Sequence, residues 1–181
     1  MISKVFLYIL FLILALDIAL GYSISYYNSS FEVVDNSVIT SLDILFDDRV
    51  SDVFVWGLPS DIKNLNVYVD DKAVEPSFYE NKLKLNLTSV KSLRLEYETS
   101  ELLDRSSFLL DLVMPSNASK VDIKLTLQEG VFLREPLKEN DPLAGSIYPK
   151  PDKAITDGSR LIFVWERENM GKGDEISIYT R

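Results

Sequence analysis

The sequence contains neither cysteine nor histidine among its 181 residues. Disulfide bonds are therefore excluded, and so are metal sites built on thiolate or imidazole ligands. The serine–histidine–aspartate triad, thiol nucleophiles and histidine-bound zinc are excluded for the same reason. Only seven glycines occur, scattered among turn sequences, so no glycine-rich phosphate-binding loop is present. We expect no cofactor and no bound metal.

Positive charge is also scarce. The chain has 19 Lys and Arg residues against 28 Asp and Glu residues, which leaves a net charge of −9. An acidic domain repels phosphate backbones, and no cluster of basic residues interleaved with aromatic ones occurs. We therefore expect no nucleic-acid partner, and the acidic surface is typical of a soluble domain.

Alternating hydrophobicity is the dominant pattern beyond residue 21. Leu83, Leu85 and Leu87 alternate with polar residues, and the same period of two recurs at 65–69, 93–97 and 121–127. Each segment is predicted to be a strand with one apolar and one solvated face. No pattern of period 3.6 persists for three helical turns, so long helices are not expected there.

Other segments are apolar at consecutive positions, which is typical of strands buried on both faces. Turn sequences rich in Asp, Pro and Gly separate the strands. The sequence therefore predicts an all-β fold, an antiparallel β-sandwich with antiparallel pairing throughout. The consecutive apolar segments are 38–46, 53–56, 108–114 and 161–165, and the turns are predicted at 46–49, 57–60, 70–72, 114–117 and 171–173.

A weak similarity between the two halves of the sequence suggests two packed small β-units after an export segment. Leu58-Pro59 in the first half has a counterpart in the strand end at 127–130 in the second half. We predict an export segment at 1–21, a first β-unit at 22–102 and a second at 103–181. A single sandwich remains the alternative, because any β-meander gives similar spacing.

The first 21 residues have the features of a signal peptide. Lys4 supplies positive charge, 5–16 is an unbroken apolar run, and Ala19 and Gly21 are small residues at the −3 and −1 positions of a cut before Tyr22. We expect cleavage between Gly21 and Tyr22. The alternative is an uncleaved hydrophobic helix that anchors the protein through 5–21, although a comfortable span takes roughly 20 apolar residues.

Both interpretations of this leader place residues 22–181 outside the cytoplasm, secreted or at the cell surface. Three sequons, at Asn28, Asn86 and Asn117, agree with export and are candidate N-glycosylation sites. The same pattern also arises by chance in a chain rich in Asn and Ser.

Carboxylates are the main reactive groups that remain. Asp43, Asp111 and Glu166 lie in or beside predicted strands, and a glycosidase can work with two carboxylates alone. The simpler interpretation is that they belong to solvated strand faces. Asp47-Asp48, Asp70-Asp71 and Glu139-Asn140-Asp141 are the densest acidic turns for calcium, but none has the spacing of a calcium loop, and ordinary turn chemistry explains them.

Aromatic residues offer a further kind of candidate. Trp56 and Trp165 could stack on a ligand, but their apolar surroundings favour core packing. Tyr22, Tyr26 and Tyr27 could form an adhesive edge strand or pack against the sheet. A region without strand pattern at 134–158 contains four prolines and is predicted to be a long loop, either functional or covering a sheet edge.

The C-terminal half carries the most distinctive motifs. They are LQEGVFL at 127–133, IYPKP at 147–151, TDGSR at 156–160, IFVW at 162–165 and GDEISIY at 173–179. Together they resemble the extracytoplasmic β-sandwich domains of archaeal membrane-tethered proteins of unknown function, which are similar in pattern to the lumenal β-domains of ribophorin. Gln128 departs from the pattern, since proline is usual there. The resemblance covers residues 35–181 and implies an exported sandwich without catalytic residues.

We therefore expect a non-enzymatic envelope protein that acts by binding or scaffolding. The partner would be another envelope or membrane protein, or a cell-surface glycan. One alternative is a carbohydrate-binding module or a carboxylate-dependent glycosidase. Another is the ectodomain of a membrane-anchored sensor, because domains of the resembling family often precede a membrane span.

Overall fold

The computed structural model describes residues 21–104, 107–131 and 147–180. This part of the chain contains fifteen strands and no helix, so the all-β prediction is confirmed. The strands are β1 (Ile24–Val34), β2 (Ser37–Val50), β3 (Val53–Gly57), β4 (Lys63–Val69), β5 (Lys72–Val74), β6 (Ser77–Tyr79), β7 (Lys82–Asn86), β8 (Val90–Thr99), β9 (Leu103–Asp104), β10 (Ser107–Val113), β11 (Ala118–Thr126), β12 (Ile147–Tyr148), β13 (Lys153–Thr156), β14 (Leu161–Met170) and β15 (Glu175–Thr180).

Within the described residues the strands form three sheets. The large sheet has eight strands in the order β13-β14-β11-β1-β2-β8-β4-β5. A four-stranded sheet has the order β12-β15-β10-β9, and a three-stranded sheet has the order β3-β7-β6. The large sheet thus draws strands from both halves of the sequence. The division into units at 22–102 and 103–181 stays a prediction.

One pair of strands contradicts the prediction of antiparallel pairing throughout. β1 and β11 run parallel, with Tyr27 opposite Val121 and Phe31 opposite Leu125. Because β1 forms a tight hairpin with β2, its other edge is open to a strand that arrives later in the chain. Parallel neighbours need a long crossover, and strands β2 to β10 provide it.

The core lies on one face of the large sheet, which the two smaller sheets cover. Phe31 of β1 packs on Phe108 of the four-stranded sheet, with ring centroids 5.6 Å apart. Tyr27 of β1 packs on Trp56 of the three-stranded sheet at 6.2 Å. The buried residues of the large sheet pair across its strands, as Ile123 does with Trp165. All three sheets therefore share one hydrophobic core.

Three of the four strands predicted to be buried on both faces are buried on one; the fourth, β14, keeps Ile162 and Val164 half-buried on its outer face. β2, β3 and β10 alternate between buried and exposed positions. Their outward apolar side chains are 40–50% exposed, because no further layer of the described chain covers them. The apolar runs therefore reflect the preference of branched side chains for strands rather than burial. These exposed residues are Ile39, Leu45, Val53, Val55, Leu109 and Val113.

Most predicted turns lie where expected. Asp70 and Asp71 have φ of 46° and 61° and connect β4 to β5, as a type I′ hairpin requires. The turn predicted at 46–49 is wrong: these residues lie inside β2, which has an irregularity in its pairing with β8 between Leu45 and Val50. An irregular strand and a turn both tolerate consecutive polar residues, which explains the error.

Two sequence predictions fall wholly or partly on residues outside the described ranges. The acidic group Glu139-Asn140-Asp141 lies there, and so does the leader predicted at 1–21 apart from Gly21. Among the residues that the structure describes, no helix is long and apolar enough to cross a membrane. The loop predicted at 134–158 is wrong for its described portion, 147–158, because this contains β12 and β13.

Candidate functional site

A cavity of about 140 Å³ lies where the three sheets meet. We call it the inter-sheet cavity. Its base is the buried face of the large sheet, to which β1, β2 and β8 contribute. β3 of the three-stranded sheet and β10 of the four-stranded sheet form its walls. The lining residues are Tyr27, Ser29, Phe31, Thr40, Leu42, Trp56, Gly57, Pro59, Tyr97, Leu102, Leu110, Asp111 and Leu112.

Polar residues reach this cavity because strand alternation points them inward. Tyr27, Ser29 and Phe31 are spaced by two on β1, and all are at most 4% exposed. Thr40 of β2 lies opposite Phe31 of β1 on one side and opposite Tyr97 of β8 on the other. Two small hydroxyl residues thus occupy positions on the core face where large apolar side chains would be expected.

Four polar atoms at the inter-sheet cavity have no hydrogen-bond partner among the described residues. They are the hydroxyl oxygens of Tyr27, Ser29 and Thr40 and the indole nitrogen of Trp56. We call them the four cavity atoms. Leaving a buried polar group unsatisfied costs about 1–3 kcal/mol, so buried groups of this kind are nearly always satisfied by protein, water or ligand. The cavity therefore provides hydrogen-bonding capacity that the described protein does not use.

The interior of the cavity is uncharged. Burial raises the pKa of Tyr27 well above its usual value, and the neighbouring Tyr97 raises it further. Burial also raises the pKa of Tyr97, although the Thr40 hydroxyl and the Trp56 indole, which face its phenol, act to lower it. Both phenols therefore stay protonated at neutral pH. Among the described lining residues, Asp111 alone carries a charge, and it is exposed.

The cavity opens toward solvent between the two smaller sheets. Gly57 and Asp111 are exposed at this mouth, while Pro59 and Leu102 are half-buried. A Cβ added at Gly57 would meet no described atom within 4 Å, so the rim has room at that point. A ligand could therefore enter between β3 and β10.

The three candidate catalytic carboxylates are not brought together. Asp43 and Glu166 lie on the opposite face of the large sheet, where Asp43 pairs with Arg94 at 2.6 Å and Glu166 with Lys153 at 2.7 Å. Three strand spacings separate them, roughly 14 Å, whereas glycosidase carboxylates lie about 5–9.5 Å apart. Asp111 lies on a different sheet. Their interpretation as solvated strand residues fits this placement.

A cluster that the sequence did not reveal joins β1 to β11 on the same outer face. The Tyr26 hydroxyl donates to Asp122 at 2.7 Å, and Lys120 lies 3.0 Å from the same carboxylate. Burial and, after it, the hydrogen bond to Asp122 together raise the pKa of Tyr26 to about 12. The Lys120 ammonium also lies 5.1 Å from the centroid of the Tyr26 ring. These contacts stabilise the parallel pair.

The N-terminal tyrosines do not form an adhesive edge. β1 lies inside the large sheet between β11 and β2, so the edge-strand prediction is wrong and the packing alternative holds. Tyr27 is fully buried, and Tyr22 packs on Phe46 with ring centroids 5.3 Å apart. The parallel pairing explains the error, because it covers the free edge of the β1–β2 hairpin.

The two tryptophans differ in role. Trp165 is fully buried, and its indole nitrogen donates to the Pro149 carbonyl at 2.9 Å, as a core residue should. Trp56 packs parallel to Phe54 at 6.2 Å and turns its nitrogen to the cavity. Sequence reasoning named Trp56 but missed Ser29 and Thr40, for which the only signal was a hydroxyl residue at an inward strand position.

The predicted modification and calcium sites differ in accessibility. Asn28 is half-buried in the central strand, Asn86 is exposed on β7, and Asn117 is exposed but accepts a hydrogen bond from the backbone of Lys172 at 2.9 Å.

The predicted calcium turns are used for other contacts. Asp70 accepts hydrogen bonds from the backbone N–H groups of Lys91 and Ser92 in β8, and these lower its pKa. In the described ranges no three acidic side chains converge as a metal site would need. Asp47 accepts a hydrogen bond from Ser23.

Comparison with known proteins gives a likeness of fold. No protein-family model matches the sequence, and no curated protein matches it. A mutant M1 zinc metallopeptidase of Deinococcus radiodurans bound to a Tyr-Ser-Ala substrate superimposes with a TM-score of 0.54 at 10% identity. The match covers 89% of this chain and 43% of the peptidase chain. A second structure of the mutant gives a TM-score of 0.50 at 11% identity, covering 89% and 42%. The chain thus spans less than half the length of these structures.

Proposed function

We propose that this protein is an exported, non-enzymatic domain that acts by binding or scaffolding in the cell envelope. Export is supported by the leader, in which Lys4 precedes an apolar run and small residues at 19 and 21 suit cleavage. The partner class is an envelope or membrane protein, or a cell-surface glycan.

The observation that carries a binding function is the inter-sheet cavity. Ligand sites in proteins are recessed, mostly apolar and supplied with a few convergent polar groups. The cavity has this composition, with Phe31, Leu42 and Leu110 beside the four cavity atoms. It lies at the junction of rigid sheets, which hold the polar groups in place before a ligand arrives.

The carbohydrate-binding module is the alternative that this cavity favours, because hydroxyls and aromatic rings are the groups that contact sugars. The glycosidase alternative gains no support, since Asp43 and Glu166 are far apart and ion-paired. Peptidase activity belongs to the structural neighbours. We do not propose it, because the match covers 43% of that chain and this sequence has no histidine.

A glycan array combined with a turnover assay on the purified protein tests this proposal. We expect retention of ligands without product formation. Product formation that disappears in the Asp43→Asn, Asp111→Asn or Glu166→Gln variant would overturn the non-enzymatic assignment. Fractionation of the native host provides the second arm, and a protein that stays in the cytoplasm contradicts export.

A further inference from the structure

We propose that the inter-sheet cavity binds a small uncharged group rich in hydroxyls, either a free polyol or the terminal sugar of a glycan. This inference rests on the proposed binding function and specifies its ligand. It uses the volume of the cavity, the chemistry of its polar atoms and its lack of interior charge.

The volume sets the size of the ligand. A cavity of about 150 Å³ in a protein core holds one benzene molecule, a six-atom ring. The inter-sheet cavity has about 140 Å³. It therefore accepts about six heavy atoms inside, which is a glycerol-sized polyol or part of one sugar ring whose remaining substituents face the mouth. The interior of a polysaccharide chain is too wide, so a glycan would enter by its end.

The hydrogen-bonding groups set the polarity of the ligand. Each hydroxyl of Tyr27, Ser29 and Thr40 can donate and accept, while the Trp56 indole only donates. The ligand must therefore offer at least one acceptor opposite Trp56 and groups of either type opposite the hydroxyls. Several adjacent hydroxyl groups satisfy this set, because each is both donor and acceptor.

The absence of interior charge excludes ionised ligands. Moving an isolated charge into such a site carries a large desolvation penalty without a countercharge. Both phenols are held neutral by burial, and the Asp111 carboxylate at the mouth repels anions. Carboxylated or phosphorylated sugars are therefore expected to be rejected.

The aromatic rings give the ligand an apolar contact. Tyr27 and Trp56 come from different sheets and meet with an interplanar angle of 40°, so they form a wedge rather than a flat surface. The C–H groups of a polyol or a sugar ring can pack on such rings while the hydroxyls bond to polar atoms. A purely aliphatic molecule would leave the four cavity atoms unsatisfied.

Saturation-transfer NMR on the purified full chain tests the ligand class. The probes are glycerol and methyl glucoside, a neutral oligosaccharide, and glucuronate and glucosamine as charged counterparts. We expect signals from the neutral compounds only. Comparable affinity for glycerol and the glycoside indicates a free polyol, whereas higher affinity for the oligosaccharide indicates a glycan end. Equal binding of the charged compounds, or no signal from any neutral probe, overturns the inference.

Matched variants of β2 test whether the ligand binds in the inter-sheet cavity. Thr40→Val keeps the shape but removes the hydroxyl, and we expect binding to weaken about three- to tenfold. Thr40→Ser restores the hydroxyl and should stay within about twofold of the parent. Ser41→Ala, whose side chain points to the opposite face, serves as the control. An equal loss in Thr40→Val and Ser41→Ala contradicts the site.

Gly57→Leu supplies a variant outside the core. The added side chain at the rim should hinder entry and weaken binding without unfolding the protein, because the rim has room in the described structure.

A crystal grown with the best probe that shows only water in the cavity overturns the inference. Glycan-array binding that persists in Thr40→Val and Gly57→Leu leaves the proposed binding function standing but removes the cavity as its site.

Discussion

Tyr27 of β1 and Trp56 of β3 meet across the junction of two sheets with ring centroids 6.2 Å apart, and neither polar tip has a hydrogen-bond partner in the described chain. Their rings stabilise the core by packing, whereas their hydroxyl and N–H groups make no hydrogen bond that would stabilise it. A core residue selected for packing alone could be phenylalanine at either position. The polar atoms are therefore the feature of this fold that most needs a functional explanation.

Two buried threonines should respond differently to loss of the hydroxyl. Thr40 has an unpartnered hydroxyl within the described structure, whereas the Thr99 hydroxyl donates to Asp61. Without ligand, we expect Thr40→Val to change the free energy of unfolding by less than about 0.5 kcal/mol or to raise it, and Thr99→Val to lower it by about 1–2 kcal/mol. Urea denaturation of both variants measures the difference. Equal losses would indicate that the Thr40 hydroxyl is already satisfied, for instance by water.

Asp61 should contribute stability that disappears in acid. Burial acts to raise its pKa, but hydrogen bonds from Ser100 and Thr99 outweigh this effect and lower the pKa to about 2 from 3.8. The stabilisation is present above the unfolded-state value of 3.8 and is lost as pH falls toward 2. We expect Asp61→Asn to cost about 1 kcal/mol at pH 7 and almost nothing near pH 2. Denaturation at both pH values checks the convergence, and a constant difference contradicts it.

Tyrosine ionisation should destabilise the protein in alkali. Burial raises the pKa of Tyr27 well above 10.0, and burial together with Asp122 raises that of Tyr26 to about 12. Above pH 10 the unfolded chain releases these protons while the folded chain keeps them, so stability falls as pH rises. Phenolate absorbance of the folded protein should show a component near pH 12 that Tyr26→Phe removes. If Tyr26→Phe leaves the titration curve unchanged, the assignment is wrong.

The tryptophans offer a matched pair for core packing. Trp165→Phe removes a hydrogen bond to Pro149 and leaves a void among fully buried side chains, so we expect a loss of about 2–4 kcal/mol. Trp56→Phe removes an N–H without a partner in the described residues and only part of a half-buried ring. We expect a loss of about 1 kcal/mol. Thermal denaturation ranks the two, and a larger loss at Trp56 would contradict the difference in their roles.

The leader prediction is tested by mass. We expect the mature protein to begin at Tyr22, because Ala19 and Gly21 satisfy the usual cleavage preference. Intact-mass measurement on protein from the native host reads the first residue directly. A membrane-bound species that retains Met1 would show that the leader is an anchor.

The strands could be predicted from the sequence because their signal is local. Leu83, Leu85 and Leu87 alternate with polar residues and are all buried in the structure. The partner of each strand could not be predicted in the same way. Whether β1 pairs with β11 depends on a sheet edge that exists only after the β1–β2 hairpin has formed, and no local pattern encodes it.

The cavity was harder to predict for a related reason. Ser29 lies within the sequon of Asn28 and between two inward aromatic residues, so its local pattern suggests a surface turn or strand as readily as a core. Its inward direction follows from the spacing to Tyr27 and Phe31, but the absence of a partner depends on three sheets that meet there. Trp56 could be named from the sequence because a tryptophan is a possible ligand contact whether it lies in the core or on the surface.

The parallel pairing of β1 and β11 also governs the order in which the protein can fold. β1 and β2 are synthesised early, but one edge of β1 stays unpaired until β11, which begins at Ala118, has been synthesised. Until then the hairpin presents unpaired N–H and C=O groups that can join strands of other molecules. A chain that stops before β11 keeps this edge exposed, so aggregation rather than folding is its expected fate.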